Sequence, residues 1–208
     1  MKPDDAIRHL ETIRTLMERV ALYRRALGPT ALLVGLTGLA GAAVGILLRL
    51  ESAPAFASLW LAVGAASFAV GLAAMRREAI RHREPFWTPA ARRVAEAVAP
   101  AFVAGAAVGL PFLLGEAWAT RVVWLLPAVW LILYGCGLHA AGFFMPRGIR
   151  WLGWCFVIGG AGDLLWWTCP LNQHPEPWLS HLVMGLGFGL SHLAYGAYLH
   201  LTARPQPS

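Results

Sequence analysis

The sequence predicts an all-α fold: an integral membrane six-helix bundle with an N-terminal cytoplasmic amphipathic helix. Three observations predict it. Apolar runs recur along the 208 residues, and several exceed the roughly 18 residues that mark a membrane span. Charge is scarce: 13% of residues are charged and 58% hydrophobic, with mean hydropathy +0.57, whereas a soluble domain carries about 25% charged residues. The basic residues also fall between the apolar runs and gather on one side of the membrane, as orientation in a bilayer requires.

The stretch 75–93 organises the topology. It reads M-R-R-E-A-I-R-H-R-E-P-F-W-T-P-A-A-R-R and carries Arg76, Arg77, Arg81, Arg83, Arg92 and Arg93. A segment this basic crosses a bilayer poorly and stays in the cytoplasm. Six spans place it on the same side as both termini. Fifteen of the 17 Lys and Arg residues then share that side, leaving only Arg49 and Arg121 opposite. The expected topology is multi-pass, with both termini cytoplasmic.

Residues 1–26 are expected to form the cytoplasmic or interfacial helix. Asp4 or Asp5 suits its start, where carboxylates meet the positive end of the dipole. Ile7, Leu10, Ile13, Met17 and Val20 recur at helical spacing, and Arg14 and Glu18 can pair four residues apart. Tyr23, Arg24 and Arg25 then reach the headgroups. Residues 4–25 are the expected contact for a cytoplasmic partner or a second copy.

The membrane domain is expected over residues 27–202. Its spans run over about 27–48, 55–74, 97–114, 122–141, 151–169 and 178–201, followed by a tail at 203–208. Gly28-Pro29 turns the chain into the first span. Gly41 with Gly45, and Gly105 with Gly109, form G-x-x-x-G pairs that permit close approach of another helix. Thr88-Pro89 reads as a helix cap and first position, so 90–99 is expected to be a short interfacial helix feeding the third span. Trp60, Trp118, Trp124, Trp151, Trp166, Trp167 and Trp178 lie near span ends, where indoles favour the apolar–polar boundary.

Ionisable groups inside spans are costly and mark function by default. Four stand out: Asp163, His181, His192 and His139. His192 follows His181 by eleven residues, three turns and about 16 Å along one helix face. Depth places Asp163 with His181, joined by His174, at the outer level and His139 with His192 at the inner one. A carboxylate beside a histidine suits a proton relay or a metal site, and paired histidines at two depths suit haem ligation.

Much is excluded. The three cysteines, Cys136, Cys155 and Cys169, form no C-x-x-C pair and suggest neither a disulfide framework nor a zinc site. No H-x-x-x-H spacing, nucleophile motif or phosphate-binding glycine loop occurs. No catalytic residue, metal ligand or resident cofactor is therefore expected. The net charge of +6 belongs to orientation and to anionic lipid, through Arg24, Arg25, Arg76, Arg77, Arg81, Arg83, Arg92 and Arg93, and not to nucleic acid. The first apolar run is longer than a signal core and reads as an anchor that stays in place.

Two segments, residues 10–29 (L-E-T-I-R-T-L-M-E-R-V-A-L-Y-R-R-A-L-G-P) and 130–156 (W-L-I-L-Y-G-C-G-L-H-A-A-G-F-F-M-P-R-G-I-R-W-L-G-W-C-F), resemble small bacterial multi-pass membrane proteins of uncharacterised function. The resemblance implies a bacterial inner-membrane protein and brings no activity or site residue with it. The functional expectation is a non-enzymatic sensor, scaffold or accessory subunit. The alternatives are a small transporter or channel component using Asp163 and the histidines, and a haem- or metal-binding membrane protein.

Overall fold

The structure is a computed structural model that describes residues 27–81, 83, 85–169 and 176–202. The expected helix over residues 4–25, with Arg24 and Arg25, lies outside the described residues, as do His174 and Arg204. The described chain is all-helical, with no strand among the described residues.

Helix α1 covers Leu27–Leu47. Its end is closed by two bonds, from Leu50 N–H to Gly45 O (2.9 Å) and from Arg49 N–H to Ile46 O (3.2 Å). These are the paired bonds of a Schellman turn. Arg49 takes the left-handed position at φ 50°, where glycine is usual. The turn leaves the Leu50 carbonyl facing into the bundle.

Helix α2 is Ala53–Arg81. It runs beyond the expected span, so the first half of the basic stretch is helical. Helix α3, Pro89–Gly109, begins where the sequence places a cap: Thr88 Oγ1 accepts from Ala91 N–H at 3.1 Å. The expected short helix over 90–99 is simply its first turns, and a 3-10 turn at Leu110–Leu114 extends it. Arg92 and Glu96 pair across one turn at 2.7 Å on its exposed face. Helix α4, Ala117–Val122, passes through a 3-10 turn at Val123–Leu125 into α5, Leu126–Ala141. Helix α6 is Gly148–Thr168. The last segment is α7, Pro177–Met184, then a π-helical turn at Gly185–Leu190, then α8, Ser191–Leu201.

Among the described residues five helices are long and apolar enough to cross a membrane: Leu27–Leu47, Ala53–Arg81, Ala91–Leu114, Ala117–Ala141 and Pro177–Leu201. Helix α6 is not one of them. Arg150, Asp163 and the indoles of Trp151, Trp154, Trp166 and Trp167 lower its hydropathy.

Short connections make successive helices alternate in direction. One end of the bundle gathers Glu51, Thr120 and Pro177 around a common crevice. At the opposite end Gly28 approaches Leu199, and Gly148 approaches Tyr195. Helix α5 packs extensively on α6, and α3 packs on α5. Glycine explains the first. A Cβ on Gly153 would lie 2.7 Å from His139 N, and one on Gly135 would lie 2.6 Å from Gly153 O. Backbone here touches backbone, which no larger residue permits.

The G-x-x-x-G pairs work differently from the expectation. Gly105 and Gly109 both face the Trp130 ring, and Trp130 Nε1–H donates to Gly105 O at 2.9 Å. Gly41 faces Val63 and Trp60, and Gly45 faces the His181 ring. These glycines make room for side chains of neighbouring helices rather than for a second backbone.

The core holds Phe56, Trp60, Leu126, Leu131, Phe156 and Met184. Outside it the surface is apolar. Leu47 is 80% exposed, Val103 69%, Leu114 76% and Leu165 71%.

Candidate functional site

The interior carries few polar side chains, and most of them tie helices together. On α1, the Thr37 hydroxyl donates to Val34 O at 2.8 Å. Its oxygen is then left to accept from Ser67 Oγ on α2, also 2.8 Å away.

His181 is fully buried. Its ring lies 4.8 Å from Phe56 and 6.3 Å from Trp60, centroid to centroid. The Trp60 Nε1–H donates to His181 Nδ1 at 3.0 Å. An indole nitrogen can only donate, so Nδ1 carries no proton. The proton sits on Nε2, which lies 3.0 Å from Leu50 O and donates to it. One neutral ring thus joins α7 to α2 and to the turn that closes α1. Trp60 is expected at an interfacial belt but is 3% exposed. Its polar edge is satisfied by a histidine instead of by water. Trp167 is likewise buried, whereas Trp118, Trp151, Trp166 and Trp178 are on the surface.

His192 shows the same logic with the opposite tautomer. Nδ1 lies 2.7 Å from Phe188 O, an acceptor, so Nδ1 holds the proton. Nε2 then accepts from the Tyr134 hydroxyl at 2.9 Å. Phe156 and Phe188 pack on the ring at 5.2 and 4.6 Å. His192 thereby joins α8 to α5 and α6.

The two histidines do not share a face. A regular helix would align residues eleven apart, but the π turn at Gly185–Leu190 intervenes and shifts the phase. His181 turns toward α1 and α2, and His192 toward α5 and α6. The π turn also places Phe188 O where both Ser191 N–H and the His192 ring reach it. Gly185 and Gly189 press against Ala42 and Leu39 of α1, which seats this turn in the bundle. Three alternate glycines, Gly185, Gly187 and Gly189, are its trace in the sequence.

Neither expected pair forms among the described residues. His139 stands edge-on to Phe143 and Trp154, at 5.6 and 5.5 Å, and its Nδ1 is buried without a hydrogen-bond partner there. Asp163 lies on α6, one turn before Trp167. Asp163 Oδ2 and Trp167 Nε1 are buried side by side and interact with each other, but outside good hydrogen-bonding geometry, so neither atom has a well-formed partner among the described residues. The Trp167 ring packs on Trp124 at 6.0 Å. Trp124 in turn lines a crevice of about 110 Å³ with Glu51, Phe56, Thr120, Val123, Pro177 and Ser180.

No group of three His, Cys, Asp or Glu side chains arranged for a metal occurs among the described residues. Both nitrogens of His181 and of His192 are engaged, so ligation through either ring would first displace Trp60, Leu50, Tyr134 or Phe188. Tyr134 and Trp60 are the partners that sequence reasoning missed. Neither spacing nor composition marks them, because each meets its histidine from a different helix. No family model matches the chain, and no curated protein or solved structure resembles it.

Proposed function

We propose that this is a multi-pass protein of the bacterial inner membrane, with six spans and both termini cytoplasmic. Its role is that of a non-enzymatic scaffold, sensor or accessory subunit. The observation that carries the membrane reading is the apolar exterior. Leu47 on α1, Val103 and Leu114 on α3 and its 3-10 extension, and Ile158 and Leu165 on α6 are each more than 60% exposed, and water would oppose an apolar surface that extensive. Among the described residues eight arginines stand near the end that carries residues 85–88 and 142–147, and only Arg49 and Arg121 near the other. In this reading α6 is the fifth of the six spans, its glycine contacts with α5 compensating for a weaker apolar face.

The interior is compatible with a scaffold. Its hydrogen bonds, Thr37–Ser67, Trp60–His181 and Tyr134–His192, each join two helices. They serve packing, which leaves the cytoplasmic segments 1–26 and 75–93 as the working surfaces. The arginines there contact anionic lipid, and residues 4–25 contact a cytoplasmic partner or a second copy. Removing residues 1–25 is expected to abolish recovery of that partner after cross-linking in membranes, with the remaining protein still inserted. Unchanged recovery contradicts the role.

A second reading rests on Asp163. A buried carboxylate whose polar neighbour is an indole N–H outside good hydrogen-bonding geometry suits a small transporter or channel component. Asp163→Asn would then stop flux of the transported species in proteoliposomes and leave partner recovery intact. Flux unaffected by that change removes this reading.

A further inference from the structure

We propose that His181 is a proton-responsive latch between the last span and the α1–α2 hairpin. The inference is independent of the scaffold reading and starts from hydrogen-bond directions. In the neutral state Trp60 Nε1–H donates to Nδ1, and Nε2–H donates to Leu50 O. A proton added to Nδ1 sets two donors against each other across that 3.0 Å contact. The Trp60 bond is lost. The Leu50 bond survives and gains charge assistance. Protonation therefore does not loosen the ring uniformly; it releases α7 from α2 while holding it to the α1 turn.

The surroundings support two arrangements. Of the groups that face the ring, Gly45 from α1 and Phe56 and Trp60 from α2 carry no titrating group. The charged neighbours are Glu51 and Arg49 in the turn and Glu176 at the start of α7. Glu51 follows Leu50 directly in the chain and lines the adjoining crevice, on the side of the bond from Nε2 to Leu50 O. A proton also has an approach. The crevice is walled by Glu51, Phe56 and Ser180; Phe56 packs on the His181 ring and Ser180 precedes it in the chain. Its volume admits a few waters. Loss of the Trp60 bond lets Phe56 and α7 part, which widens this crevice.

The test reads the latch itself. The full chain, labelled with 15N in mild detergent, is titrated from pH 8 to 4.5 while the Trp60 indole N–H is followed by NMR, its signal assigned with Trp60→Phe. Exchange protection of that indole proton is expected to fall about tenfold in acid, together with a ring-nitrogen shift of His181 that reports protonation. In His181→Gln the side-chain amide can accept from Trp60 and donate to Leu50 but cannot titrate, so Trp60 protection is expected to stay constant. A Trp60 signal unchanged by acid in the wild type overturns the proposal. So does an acid response that persists in His181→Gln. Should that variant not fold, the wild-type titration still decides, because a Trp60 change that does not track the His181 ring nitrogens also overturns it.

Discussion

Trp60 and His181, 121 positions apart in the chain, are joined by a 3.0 Å bond from indole N–H to Nδ1. That contact sets the tautomer of the ring and, through it, the bond to Leu50 O. His181→Ala strands a buried donor and a buried acceptor and opens a cavity beside Phe56. The expected cost is about 2–4 kcal/mol, read as a lower unfolding temperature in detergent. His181→Gln is expected to recover most of it at neutral pH. Equal losses in both variants would show that the ring's volume, not its hydrogen bonds, matters.

Gly45 and Gly64 make a paired comparison. An added methyl at Gly45 overlaps the His181 ring, whereas one at Gly64 meets nothing within 4 Å. Gly45→Ala is expected to destabilise by about 1–3 kcal/mol through overpacking. Gly64→Ala is expected to be neutral or to stabilise by up to about 1 kcal/mol, because alanine loses less entropy in a helix. Thermal unfolding of the two single variants separates the effects.

Tyr134→Phe removes the hydroxyl that donates to His192 Nε2 while keeping the ring among Phe102, Phe156 and Phe188. About 1–2 kcal/mol of stability should be lost, since a buried acceptor is left without its donor. An unfolding midpoint unchanged from wild type would mean that His192 finds another donor.

Arg49→Gly tests the turn that presents Leu50. The residue holds φ 50°, a region that costs a side-chain-bearing residue about 1–2 kcal/mol. The variant is expected to unfold at a higher temperature by an amount near the lower end of that range. A decrease would reveal a contribution from the Arg49 side chain larger than the backbone strain.

Much of the helical layout was legible in the sequence because apolar runs and caps are local signals. Thr88-Pro89 marks a helix start by its own chemistry, and the structure places the cap there. The end of α2 is not legible from charge, because Arg76, Arg77 and Arg81 mark the cytoplasmic side without ending the helix, arginine being a good helix former. The histidine geometry was legible only in part. Burial of His181 and His192 within a helix follows from their apolar context. Their facing does not, because one π turn between them breaks the regular period. The partners Trp60 and Tyr134 come from distant segments, and nothing local marks a tryptophan as interior rather than interfacial. Asp163 stood out by charge alone, and its neighbour Trp167 gave no separate signal.

A six-span topology with the basic stretch and both ends on the cytoplasmic side is tested most directly by fused reporters. Alkaline phosphatase and green fluorescent protein would be fused in turn after residues 83, 116, 147, 173 and 208 and assayed in bacteria. The account expects phosphatase activity only after 116 and 173, and fluorescence only after 83, 147 and 208. Phosphatase activity after residue 83, or fluorescence after 173, would contradict it.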